Sequence, residues 1–208
     1  MEINGWAGGL YRICDWIMRL AYVNLLWILF SLLGLVLFGV MPATTALFGI
    51  IRKWVKGETD FPVFKEYKSR YVHEFRHSNL LGLILSVIGV LLYVELSFFF
   101  PFTNIVQLVL FLMALLMTFI FLTIMMYIFP LFVNYELNLL QYIKTSLLIG
   151  ISYPIKTLGL LGAGIVLYFI LFSIPGLLPF FSVSMFSTII LFSSFRIFEK
   201  IEQQKSVL

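Results

Sequence analysis

Residues 51–79 read IRKWVKGETDFPVFKEYKSRYVHEFRHSN, a polar and basic island in an otherwise oily chain. The island holds Arg52, Lys53, Lys56, Lys65, Lys68, Arg70 and Arg76, half of the chain's 14 Lys and Arg residues. The 208 residues are 62% hydrophobic and 12% charged, whereas a soluble domain is about half apolar and a quarter charged. Too few polar residues remain to cover a water-soluble surface, so the solvent for most of the chain is lipid. In lipid, a cluster of cations marks the segments that stay in the cytoplasm.

Apolar runs flank the island on both sides. Residues 21–40, 80–100, 104–133, 148–173 and 177–195 are each long enough to cross about 30 Å of hydrocarbon. The expected fold is all-α: a single membrane domain over 1–208, with about five transmembrane helices and interfacial amphipathic helices beside them. Residues 1–20 carry Trp6, Leu10, Ile13 and Ile17 at helical spacing, which predicts a short amphipathic helix on the membrane surface. Residues 43–58 follow the first span and predict a short helix returning into the interface. Its Thr44, Thr45 and Gly49 are small enough for close helix contact. Within the island, Phe64, Tyr67, Tyr71 and Phe75 share one helical face, with Lys65, Lys68 and Arg76 off it. This pattern predicts an interfacial helix that meets anionic lipid or a partner.

Orientation follows from the positive-inside rule. With five spans, 51–79, Lys144, Lys156 and the tail carrying Arg196, Lys200 and Lys205 share the cytoplasmic side. The N-terminus then lies outside and the C-terminus inside a bacterial cytoplasmic membrane. No basic n-region or A-x-A site marks a cleavable signal peptide, so the first span is expected to stay. The net charge of +4 reads as topogenic, since no separate basic domain exists to track nucleic-acid phosphates. Cys14 is the lone cysteine, which excludes an internal disulfide and a multi-cysteine metal site.

Three patches resemble the YesL-like family of bacterial integral membrane proteins. The first is NLLW (Asn24 to Trp27) with PATTALF (Pro42 to Phe48) and RKWVKGE (Arg52 to Glu58). The second is the aromatic and basic helix from Phe64 to Phe75. The third is YIFPLF (Tyr127 to Phe132) with Tyr135 and Glu136, followed by KTS from Lys144 and PIK from Pro154. The resemblance implies an association with carbohydrate uptake beside binding-protein-dependent sugar transporters, whose subunits would be partners. It implies no mechanism.

Four groups of residues carry candidate chemistry. His73, Glu74 and His77 match H-E-x-x-H, which on a helix sets two imidazoles one turn apart for zinc. With only two histidines in the chain, the third ligand would have to be Glu136. The preferred reading is two interfacial histidines and no cofactor. Glu95 lies inside the second span, where an ionisable residue is costly and a functional candidate by default. At a similar depth stand Arg19 and Asn24, so a structural Glu95–Arg19 pair is expected. Asn134, Glu136 and Asn138 form a polar patch suited to docking. Finally, Arg52, Lys53, Phe64, Lys68, Arg70, Tyr71 and Phe75 are read as the surface for lipid headgroups or a partner. No P-loop, nucleophile elbow or dinucleotide fingerprint is present. The chain is therefore read as a non-enzymatic binding component. The alternatives are a small sugar permease with a homo-oligomeric pore, tested at Glu95, and a membrane zinc protease.

Overall fold

The computed structural model describes residues 6–205, with side chains over 9–201. The described chain forms seven α-helices: α1 (Trp6–Leu33), α2 (Val40–Val55), α3 (Val63–Phe99), α4 (Ile105–Asn134), α5 (Leu139–Ser152), α6 (Pro154–Ser173) and α7 (Leu178–Lys205). A short 3-10 turn, Pro175–Leu177, joins the last two. Five of the helical stretches are long and apolar enough to cross a membrane: Gly9–Leu33, Val63–Phe99, Ile105–Asn134, Pro154–Ser173 and Pro175–Ile201. Their large apolar side chains are widely exposed, as on Leu29, Leu83, Leu116 and Phe169. That exposure suits hydrocarbon and not water.

The core is built around α2. Eleven of its 16 residues are buried, from Pro42 to Ile51 and at Trp54. Small residues allow this enclosure, because Ala43, Thr44, Thr45, Ala46 and Gly49 let neighbouring backbones come close. The Trp27 indole of α1 donates to Thr44 Oγ1 at 3.0 Å, and Tyr67 of α3 donates to the Ala43 carbonyl at 2.7 Å. From α4, Phe129 stacks on Phe48 at 5.3 Å. The expectation of an interfacial helix here is overturned. With protein on all sides, α2 needs neither lipid nor water.

Two further expected surface helices are parts of longer ones. The 63–79 stretch is continuous with the second span in a 37-residue helix, because no breaker separates Phe75 from Leu80. At 1.5 Å per residue α3 is about 56 Å long, nearly twice the hydrocarbon thickness. The charge-poor half, 80–99, is the part suited to hydrocarbon, and the cations of α3 are confined to 63–79. Its aromatic face points inward. The Phe30 ring lies 5.1 Å from Tyr67, 5.0 Å from Tyr71 and 6.0 Å from Phe64. The expected amphipathic helix of 1–20 is likewise continuous with the first span over its described part. Leu10, Ile13 and Ile17 are exposed there.

The first span ends at Leu33, short of the expected 40, in a turn over 34–39. Gly34 and Gly39 face each other so closely that a Cβ on Gly34 would strike the Gly39 Cα. Leu35 and Val36 adopt positive φ, 56° and 63°, which is unusual for bulky residues. The expected 148–173 span is also divided. Tyr153 separates α5 from α6, with Pro154 starting the new helix at a position that needs no N–H.

Helix direction brings the described start of α1 and end of α7 together, whereas the expected placement sets the termini on opposite sides. Trp16 of α1 lies 6.4 Å from Trp54 of α2 and 6.3 Å from Phe192 of α7. Asn24 meets the beginning of α7 at Pro179 and Ser184. Thus α1 and α7 run antiparallel, and the start of one and the end of the other share an end of the bundle. Between them, α2 returns the chain along α1.

Candidate functional site: a polar cleft at the basic end

At that shared end α2 finishes, α3 begins and α4 finishes. The last turn of α2 carries Arg52 and Lys53. Lys53 Nζ and Arg70 Nε both donate to Glu66 Oε1 at 2.9 Å. Arg52 Nε donates to Asn134 Oδ1 at 2.7 Å, and Asn134 Nδ2 donates back to the Pro130 carbonyl at 2.8 Å. That last bond orients the carboxamide, whose oxygen is left for the guanidinium. Arg70 lies across Gly49, where a Cβ would come within 2.8 Å of its Nη1.

Arg52, Arg70 and Asn134 line a cavity of about 290 Å³ with Thr45, Glu74, Phe132, Val133, Tyr135 and Glu136. A second space of about 600 Å³ shares Glu74, Phe132 and Glu136 with it, and adds His73, His77, Leu80, Asn138 and Tyr142 among others. Together they form a cleft between α3 and the α4–α5 junction. Burial, and next the neighbouring Arg70, lower the Arg52 pKa, with Glu58 opposing. The Glu66 carboxyl is held below its usual range, chiefly by the hydrogen bond from Lys53. Glu74 and Glu136 act instead on Tyr142, whose hydroxyl is pushed up mainly by burial and further by these two carboxylates.

The expected site residues separate into groups. Arg52, Arg70, Asn134 and Glu136 meet in the cleft, and Lys53 joins through Glu66. Asn138 lines the outer space and also caps α5, in a reciprocal capping box with Gln141. Tyr71 is buried and Phe75 half-buried, while Phe64 and Lys68 are exposed. Asn24 serves the fold. Its Nδ2 donates to the Pro179 carbonyl at 2.8 Å, and its Oδ1 accepts from the Val183 and Ser184 N–H groups.

The expected Glu95–Arg19 pair does not form. Arg19 Nε donates to Asp15 Oδ2 at 2.9 Å, and its guanidinium lies over the Trp54 ring. Glu95 is exposed on the spanning half of α3 and meets no partner among the described residues. The reason is the reversed direction of α1, which carries Arg19 toward the basic end. His73 is 82% exposed, with Nδ1 at 2.9 Å from Glu74 Oε1. Glu136 shares the outer space with both histidines, yet no three His, Cys, Asp or Glu among the described residues come together to hold a metal ion. Sequence reasoning missed Glu66. Its i,i+4 spacing to Arg70 was a usable signal, but nothing in the chain order announces Lys53 as the third member.

Residues 20–96 match the model of a family described as protein of unknown function, DUF624. The chain is similar to three Bacillus subtilis proteins, each described as uncharacterised. YteU is 41% identical over 98% of this chain and 91% of its own length. For YesL the figures are 40%, 99% and 97%, and for YesV 38%, 94% and 94%. No solved structure matches. This chain therefore belongs to the YesL-like, DUF624 family.

Proposed function

We propose that this protein is a non-enzymatic component of the bacterial cytoplasmic membrane that docks a protein partner on its cytoplasmic face. One observation carries the reading. Every Lys and Arg residue, from Arg12 to Lys205, falls in the half of its helix, or in the loop, nearest the end that holds the cleft. The turns at the opposite end, 34–39, 100–104 and 174–177, have none. By the positive-inside rule the cleft end faces the cytoplasm, and both termini with it. The family resemblance suggests carbohydrate uptake as the setting, with a subunit of a sugar transporter as the partner.

The test is recovery of the tagged full-length protein from its native host in mild detergent. A stoichiometric companion should be retained, and should be lost when Arg52 and Lys68 are changed to Gln together. Recovery as a lone species under several detergents would overturn the docking reading.

A further inference from the structure

The arginine side of the cleft has the makings of a ligand site. Lys53 and Arg70 share one carboxylate, Glu66, while Arg52 stands beside Arg70, with Glu58 acting on it in the opposite sense. Arg52 itself is held by a neutral carboxamide and not by an acid. Each guanidinium is anchored through Nε, and the Nη atoms of both meet no hydrogen-bond partner among the described residues. Two planar donor forks, positioned from behind through Nε, face a cavity of about 290 Å³. Half-buried like charges held together need an opposite charge to offset their repulsion. Guanidinium forks match the oxygens of a tetrahedral oxyanion in spacing and direction. The carboxylates of Glu74 and Glu136 line the same cavity. Both also line the outer space, whose lining includes neither arginine.

We propose that Arg52 and Arg70 form an oxyanion site that takes a phosphate group. The phosphate could be carried by a small soluble phosphomonoester or by a lipid headgroup at the cytoplasmic surface. Arg52 supplies a fork that no carboxylate among the described residues hydrogen-bonds. Arg70 supplies the second, and Gly49 gives it room to lie against α2. Asn134 and Glu66 are positioning residues. The site shares the cleft with the docking reading but requires no protein partner, so purified protein can fail one test and pass the other.

The experiment uses the full-length protein, purified in mild detergent and also placed in phosphatidylcholine nanodiscs with or without phosphatidic acid. Inorganic phosphate is titrated calorimetrically, with chloride at equal ionic strength as control. Retention of phosphatidic acid is read by native mass spectrometry. Saturable phosphate binding that sulfate competes away, and that weakens about ten- to a hundredfold in R52Q, supports a soluble phosphate ligand. Phosphatidic acid retained by the wild type and released by R52Q, without phosphate binding, supports a headgroup. The K65Q variant, changed on the exposed side of the same helix, should match the wild type in both arms. R52K keeps the charge without the fork and should bind at an intermediate level, which preserves the test should R52Q fail to fold. No binding in either arm, or equal binding by wild type, R52Q and R52K, would overturn the site.

Discussion

Asn24 shows how far a single polar side chain can organise this membrane protein. It is fully buried, and its carboxamide engages the Pro179 carbonyl and the Val183 and Ser184 N–H groups of α7. In a regular helix, Pro179 and Val183 would be partners in the i to i+4 ladder, so the amide bridges one rung and fixes the register of α1 on α7. Replacing Asn24 with Leu should cost about 1–3 kcal/mol, since buried backbone groups lose their partners. The readout is thermal loss of the monodisperse protein in detergent. Glu95→Gln, at an exposed and unpartnered position, should leave the same readout within about 0.5 kcal/mol. Glu66 makes a pH-dependent prediction. Its folded pKa is depressed, chiefly by the Lys53 hydrogen bond. Its contribution is therefore complete above the unfolded carboxylate pKa and disappears as pH falls through the folded value. Glu66→Gln should destabilise by about 0.5–1 kcal/mol at neutral pH, and the gap to wild type should close in acid. A gap that persists unchanged below that range would show that packing, not charge, is what the substitution removes.

At the scale of elements, apolar runs and breakers were readable and register was not. The third span ends within a residue of its expected bounds, because Pro101 stops the preceding run and Asn104 caps the new helix through its side chain. Tyr67 and Tyr71 were expected on a stripe meeting lipid or a partner, since an aromatic stripe beside lysines looks the same whether it meets lipid or Phe30. Only tertiary packing distinguishes the two. The turn over 34–39 was hidden inside a continuous apolar run. It forms because Gly34 and Gly39 allow two backbones to meet, and internal hydrogen bonds satisfy the amides from Gly34 to Val40. Such closure is what a turn with Leu35, Leu37 and Phe38 exposed requires near hydrocarbon. Gly39→Ala would press a Cβ into the Ser31 carbonyl, which has no flexible side chain to yield. It should cost about 2 kcal/mol or more by forcing the hairpin apart. Gly57→Ala, in open space at φ 87°, should cost about 1 kcal/mol from backbone strain alone. Matched melting curves of the two variants compare these mechanisms, and equal losses would remove the close-approach argument.

At the scale of the whole molecule, five spans were legible because each is long and nearly free of charge. The parity of crossings, an even number in the topology proposed above, was not, because the helix that changes it hides from a hydropathy reading. With 16 residues and two cations in its last turn, α2 is too short and too basic to count as a span. It is tolerated at the centre because α1, α3, α4 and α7 enclose it. Charge distribution is what favours the even-numbered path of that proposal. An outward N-terminus would place Arg12 and Arg19 across the membrane from the other 12 cations, whereas the antiparallel packing of α1 on α7 brings all 14 to one end. The prediction is specific to compartment. In a background carrying Cys14→Ser, which removes the lone cysteine, Thr103→Cys in the charge-free turn between α3 and α4 should react with an impermeant maleimide added to intact cells. Epitope tags on the two termini should both stay protected from external protease until the membrane is opened. Tags that report opposite compartments would require α2 to leave the core, and the cleft built on Arg52, Arg70 and Asn134 would dissolve with it.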